Sequence, residues 1–261
     1  MASWPRIRGV VSDLDGVVYR GKTPIAASIE AFRRWRHAGV RFCFVTNNST
    51  HTEFDVVRKL DKMGLPISAD EVVTSAAESA RLLQAGWKAG TAVYVIGAAS
   101  LRNAVAGAGM VVTGQSPAVV VMGLDRAITH EKMRIAVNAL LNGAALIGTN
   151  PDLLLPTDDG FEPGAGAQLA AVVAAAGVRP LIVGKPEPRM IESAVARLGT
   201  DKTETIMVGD QVATDIQAGK RAGLCSVLVT TGVPPRPDPS LSQPDFVVAN
   251  LLEIPVGERH G

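Results

Sequence analysis

The sequence predicts an α/β protein built on a doubly wound parallel sheet, and three observations carry that prediction. Short apolar runs read as buried strands, they alternate with segments of 3.6-residue periodicity, and polar residues gather where each run stops. The 261 residues exceed the usual size of one hydrophobic core, which favours two domains over one large α/β domain.

The first run, Ile7 to Leu14, reads as a buried strand that ends at Asp13, Asp15 and the turn residue Gly16. Tyr19 to Lys22 reads as a polar turn. Pro24 suits the opening of a helix carrying Ile25, Ile29, Phe32 and Trp35 on one face, and Gly39 closes it. Val40 to Val45 is a second buried strand running into Thr46-Asn47-Asn48-Ser49, and Thr52 to Met63 is an amphipathic helix. Ser68-Ala69-Asp70-Glu71 has the capping-box pattern and predicts a helix opening there and running to about Gln84.

Between Thr91 and Val178 the rhythm restarts, with strands expected at Ala92 to Ile96, Ala118 to Met122 and Ala144 to Ile147. Thr149 to Gly166 lacks periodicity and reads as one long loop, of the kind that is often functional; it includes Asp158-Asp159-Gly160 and the turn Pro163-Gly164-Ala165-Gly166. That turn could bind an anion ahead of the Ala-rich helix Gln168 to Ala176, and close packing explains it equally well. Pro180 to Val183 is then expected as a third core strand ending at Gly184-Lys185-Pro186. Thr205 to Val208 ends at Gly209-Asp210, Ser226 to Thr230 and Phe246 to Val248 read as the last strands, and Pro234 to Pro239 as a loop between them.

Composition narrows the function. With 26 Lys and Arg against 25 Asp and Glu, no single-sign field marks a nucleic-acid or anionic-membrane partner, so a small ligand is expected. Residues 1–8 lack a signal-type apolar region and no apolar stretch is long enough to span a bilayer, which predicts a cytoplasmic location. The two cysteines, Cys43 and Cys225, fall inside strand-like runs without motif spacing and read as reduced core residues. His51 reads as a solvated helix-start residue, and His37, His130 and His260 have no partner that the sequence names. Neither a Walker-type phosphate loop nor a Gly-x-Gly-x-x-Gly fingerprint is present.

Four strand ends carry polar groups: Asp13 and Asp15; Thr46 and Asn47; Lys185; and Asp210 with Asp215 five residues on. Each alone has an ordinary reading as a loop charge, a turn or a helix N-terminal residue. In a doubly wound sheet, however, all strands share one carboxyl edge, where ligands bind, so the four can converge. Three aspartates form an all-oxygen donor set that suits magnesium rather than zinc or copper, with Lys185 as the organic counter-charge. Such a site would bring a carboxylate nucleophile against an anionic phosphate ester. Two unit charges ~4 Å apart repel by roughly 4 kcal/mol at an effective dielectric near 20, so a cation and a lysine are needed. An aspartate nucleophile splits hydrolysis into two steps through an aspartyl-phosphate, and a second aspartate can protonate the leaving alcohol and then activate water.

Asp13-Leu14-Asp15-Gly16-Val17, Val45-Thr46-Asn47-Asn48-Ser49, Gly184-Lys185-Pro186 and Gly209-Asp210-(x4)-Asp215 resemble, in order and spacing, the four motifs of the haloacid dehalogenase superfamily. Thr149-Asn150-Pro151-Asp152 with Pro163-Gly164-Ala165-Gly166 is similar to the inserted segment of its NagD-like or 4-nitrophenylphosphatase subgroup (subfamily IIA). The resemblance implies a Rossmann-like core, residues 1–79 and 179–261, with an inserted C2-type α/β cap at 80–178. It also implies a magnesium-dependent phosphatase. Asp13 would be nucleophile and metal ligand, and Asp15 acid/base and metal ligand through its carbonyl. Asp210 would be the third ligand, Asp215 an outer acid orienting metal-bound water, and Thr46, Asn47 and Lys185 the phosphate-binding groups. Gln211-Val212-Ala213 departs from the family's usual Asn after the fourth motif's first aspartate, and is expected to tune the surroundings without removing a ligand. The substrate would be a small phosphorylated metabolite read by the cap through Asn150, Asp152 and the loop to Glu162. A homodimer through the cap is also expected. Dehalogenation or C–P cleavage is disfavoured by Asp15, since chemistry without an alcohol to protonate has no use for it. A phosphomutase or phosphotransferase on the same fold remains open. A non-catalytic phospho-accepting module fits the inserted segment and the Asp-x-Asp spacing poorly.

Overall fold

A computed structural model describes residues 3–157, 160–232 and 238–256; Asp158, Asp159, His260 and Pro234 to Pro237 of the expected 234–239 loop lie outside them. The chain divides into two compact units, residues 1–46, 53–73 and 185–261 forming the first and residues 47–52 and 74–184 the second. The expected boundaries after residues 79 and 178 are therefore displaced by several residues, and a short excursion at 47–52 is added.

The first unit holds a six-stranded sheet in the order Phe246–Val248, Cys225–Val229, Thr205–Gly209, Gly9–Ser12, Arg41–Thr46, Val72–Thr74. The pairings from Phe246–Val248 across to Arg41–Thr46 are all parallel. Gly9–Ser12 is central and fully buried, in keeping with Val10 and Val11 at its middle and only Gly9 and the small Ser12 beside them. Two apolar clusters fill this unit. One gathers Phe32, Trp35, Phe42 and Phe44 with Val10, Leu60 and Val208; the other gathers Val11, Cys43, Met190, Ile191 and Met207. Phe32 is the hub of the first, its ring centroid 4.9 Å from Trp35, 5.0 Å from Phe42 and 4.9 Å from Phe44. Phe32→Ala is expected to lower the unfolding free energy by roughly 3–5 kcal/mol in urea titration. A loss below about 1 kcal/mol would mean that the cluster closes around the gap. Both cysteines are free, and burial pushes the Cys43 thiol up to about 12 and the Cys225 thiol up to about 11.

The second unit holds a five-stranded sheet in the order Leu181–Ile182, Ala145–Gly148, Val119–Met122, Ala92–Ile96, Val111–Val112, all pairings parallel. Helices Ser75–Gly86, Ala99–Gly107, His130–Leu141 and Ala165–Ala176 accompany it.

Four sequence expectations are corrected. The Ser68 capping box is real, Glu71 accepting from the Ser68 amide at 2.8 Å, but it closes a single 3-10 turn, Ala69–Glu71. Val72–Thr74 then joins the sheet, and the helix begins at Ser75 with the Thr74 hydroxyl accepting from the Ala77 amide at 3.1 Å. Residues 149–166 are not one loop, because Leu154–Thr157 and Gly160–Pro163 pair as an antiparallel hairpin and the next helix starts at Ala165. Tyr19–Arg20 and Thr23–Pro24 likewise pair as a two-stranded hairpin. Finally, Leu181–Ile182 is not a core strand; it pairs with Ile147 and Gly148 in the second unit's sheet.

Candidate active site

Parallel pairing brings the acidic residues together before any side chain is considered. Ser12 pairs with Val208, so Asp13, one residue past its strand, lies beside the Gly209-Asp210 strand end; the Asp13 amide donates to the Val208 carbonyl at 2.9 Å. Thr46 is the buried last residue of the strand on the other side. Lys185 reaches in across 172 residues of sequence, its ammonium 2.5 Å from Asp13 Oδ1 and 2.7 Å from Asp215 Oδ1. Asp215 sits in the one-turn π-helical segment Val212–Ile216 and its Oδ2 accepts from the Asp210 and Gln211 amides, each at 3.1 Å. Gln211 thus contributes its backbone amide, which any residue there would supply.

Asp13, Asp210 and Asp215 each offer a carboxylate oxygen, and these atoms lie within 4.8 Å of one another. All three residues are buried, as is Lys185. Three negative charges face one ammonium. Burial pushes the Asp13 carboxyl well above the usual carboxylate range; Lys185 opposes this, while Asp215 and Asp210 add to it. Burial alone would lower the Lys185 pKa, but the Asp13 and Asp215 carboxylates outweigh it and hold the ammonium charged. A hard divalent cation fits this donor set, which is all oxygen, negatively charged in excess and shielded from water.

Glycines shape the cluster, and this was not read from the sequence. A Cβ at Gly16, whose φ is +80°, would stand 2.3 Å from Asp210 Oδ2, and one at Gly232 would stand 1.8 Å from it. A Cβ at Gly209 would stand 2.1 Å from Asp215 Cβ. The carboxylates therefore occupy space that only glycines leave open. Gly16 was legible as a turn residue; nothing in the sequence around Gly232 announces its role.

Asp15 is exposed, and Tyr19 Oη donates to its Oδ2 at 3.3 Å. Asn47 opens the second unit's 47–52 excursion. Its Nδ2 donates to Asp152 Oδ2 at 3.0 Å, and its carbonyl accepts from Asn150 Nδ2 at 2.8 Å and from Ser75 Oγ at 2.7 Å. Asn150 and Asp152 are thus engaged in holding Asn47. The Gly164 and Gly166 turn is explained by packing, since a Cβ at either would stand 2.1 Å from the Asp152 or Pro151 carbonyl oxygen. His51 is exposed, as expected. No helix among the described residues is long and apolar enough to cross a membrane.

Known proteins match this arrangement along nearly the whole chain. Residues 10–111 match the family described as haloacid dehalogenase-like hydrolase, and residues 182–254 match a second, HAD-hydrolase-like family. The 5'-nucleotidase YutF of Bacillus subtilis is 39% identical over 248 residues, spanning 94% of this chain and 96% of that protein. Among solved structures, the p-nitrophenyl phosphatase from Archaeoglobus fulgidus superimposes with a TM-score of 0.88 at 32% identity, covering 95% of this chain and 97% of that one. NagD from E. coli does so with a TM-score of 0.86 at 30% identity, covering 95% and 98%. Family hydrolases of this kind use a divalent metal, for which the acidic cluster supplies the donors. The chain belongs to the haloacid dehalogenase-like hydrolases and is a phosphatase of that family.

Proposed function

We propose that this phosphatase hydrolyses a small phosphomonoester, of the sugar phosphate, nucleoside monophosphate or phosphoglycolate kind, through an aspartyl-phosphate on Asp13 and with magnesium. The observation that carries the reading is the buried cluster of Asp13, Lys185, Asp210 and Asp215, drawn from separate strand ends. Asp13, Asp210 and the Asp15 carbonyl would hold the ion, which when bound offsets the charge of the carboxylates and the phosphoryl group. Asp13 attacks phosphorus. Lys185 steers its carboxylate and, with the Thr46 hydroxyl and the Asn47 amide, holds phosphoryl oxygens as charge moves onto the leaving group. Asp15 gives its proton to the departing alcohol, then takes one from the water that cleaves the aspartyl-phosphate. Asp215 keeps Lys185 and the Asp210 backbone in place.

The substrate is soluble and is neither nucleic acid nor membrane, in keeping with the near-zero net charge of +1, and the enzyme works in the cytoplasm. The name of YutF supports including nucleoside 5'-phosphates. A homodimer through the inserted unit belongs to the same proposal, favoured by the exposed Leu154 and Phe161 of its hairpin and checked by light scattering.

Phosphate release from such a panel and from 4-nitrophenyl phosphate is expected to require added magnesium and to stop with chelator. Undiminished turnover in chelator would remove the metal from the proposal, and silence across the panel with magnesium present would remove the substrate class.

A further inference from the structure

Asp15 is exposed, unlike the buried Asp13, Lys185, Asp210 and Asp215, and a residue that reaches it, Tyr19, is not in any of the four motifs. The turn from Leu14 to Tyr19 is tight. Gly16 donates to the Tyr19 carbonyl at 2.8 Å, Val18 donates to the Leu14 carbonyl at 2.8 Å, and Asp15 and Tyr19 form an isolated bridge. This fixes the two backbones against each other. The Tyr19 ring is buried, 4% exposed, in the aromatic cluster of the first unit, and its hydroxyl emerges beside Asp15 Oδ2 at 3.3 Å. On the ring face, Lys59 of helix Glu53–Lys62 places its ammonium 3.4 Å from the centroid. A cation there draws density from the ring and makes the phenol a better donor.

We propose that Tyr19, backed by Lys59, is a positioning residue for the acid/base Asp15: the phenol donates to Oδ2 and orients the carboxyl group that transfers the proton. The inference rests on Asp15 acting as proposed above. As an Asp13 oxygen bonds to phosphorus and the bond from phosphorus to the ester oxygen breaks, the proton on the Asp15 carboxyl passes to that oxygen. In the second half, water attacks phosphorus, its proton returns to the Asp15 carboxylate, and the bond to Asp13 breaks. Deleting the phenol removes a contact that orients this carboxylate, so it meets the ester oxygen less often.

The test exploits leaving groups. An alkoxide needs the proton, whereas 4-nitrophenolate leaves without it. Tyr19→Phe keeps the buried ring and deletes the donor, and is expected to lower kcat/KM on glycerol 2-phosphate roughly tenfold while holding kcat/KM, which excludes the shared hydrolysis of the aspartyl-phosphate, within about twofold on 4-nitrophenyl phosphate. Lys59→Met should act in the same direction with a smaller effect, and Lys59→Arg should restore the wild-type ratio. An equal fall on both substrates would make Tyr19 a packing residue and overturn the proposal, as would no change on either. Should Tyr19→Phe not fold, the substrate ratio of Lys59→Met decides by the same criteria. Asp15→Asn separates the two levels. If it fails to depress glycerol 2-phosphate far more than 4-nitrophenyl phosphate, the acid/base reading of Asp15 is wrong; if it succeeds and Tyr19→Phe does nothing, only the positioning role is.

Discussion

Asp13→Asn is expected to lower phosphate release by about 10⁴-fold or more on every phosphomonoester, including 4-nitrophenyl phosphate, without weakening the metal-free fold. The activity argument is chemical: an amide oxygen cannot form and release the acyl phosphate, and no other carboxylate of the cluster is placed to replace it, because Asp215 is tied to Lys185 and two amides. The stability argument runs the other way. Burial holds the Asp13 carboxyl above the usual range, so without metal the folded state gains least from this group at neutral pH. Sign follows directly: a carboxyl raised on folding favours the folded state relatively more as pH falls, and its ionised form is a liability above the raised pKa. Asparagine mimics the protonated form at all pH values. Calorimetry without divalent ions should therefore find the variant melting no lower than wild type. Residual turnover above about one part in 10³ would argue against Asp13 as nucleophile.

Gly232→Ala should be the most damaging methyl group that can be added near the site. The new Cβ would fall 1.8 Å from Asp210 Oδ2 and 2.5 Å from its Cβ and Cγ, and Gly16 abuts the same oxygen, since a Cβ there would stand 2.3 Å from it. The carboxylate is 3% exposed and cannot swing into solvent without opening its surroundings. We expect kcat/KM to fall about 100-fold, since a displacement near 1 Å suffices for that, with a higher magnesium concentration needed for half-maximal activity. Gly86→Ala is the control, at a helix end where an added Cβ meets nothing within 4 Å, and it should be silent. Wild-type kinetics from Gly232→Ala would show that the position of Asp210 does not govern the reaction.

The acidic cluster was legible because parallel strands leave a strong signature. A fully buried strand is apolar throughout, so two carboxylates at the end of Ile7 to Leu14, or Asp210 after Thr205–Gly209, mark a strand terminus at the ligand-binding edge. What failed were places where tertiary pairing overrides local pattern. Ser68 to Glu71 satisfies the capping-box chemistry, yet Val72 and Val73 gain more from the sheet than from a helix, and Thr74 becomes the true N-cap. The hairpin at 154–163 faces outward, with Leu154 and Phe161 exposed, so no alternation of buried and exposed positions betrays it. Leu181–Ile182 is two residues long and carries no mark of which sheet will take it. The glycine walls around Asp210 were illegible for another reason: an absence of side chain signals nothing until the neighbour that needs the space is known.

The sheet order also has a cost in time. Gly9–Ser12 is the central strand, and one of its two neighbours, Thr205–Gly209, leaves the ribosome some two hundred residues after it. Until those residues have been made, one hydrogen-bonding edge of a fully buried strand waits uncovered, the state in which chains associate wrongly or need a chaperone. Neither Lys185 nor Asp210 can join Asp13 before that wait ends. A chain broken off before Asp215 therefore has no half-strength form of the site, and activity reports synthesis beyond it.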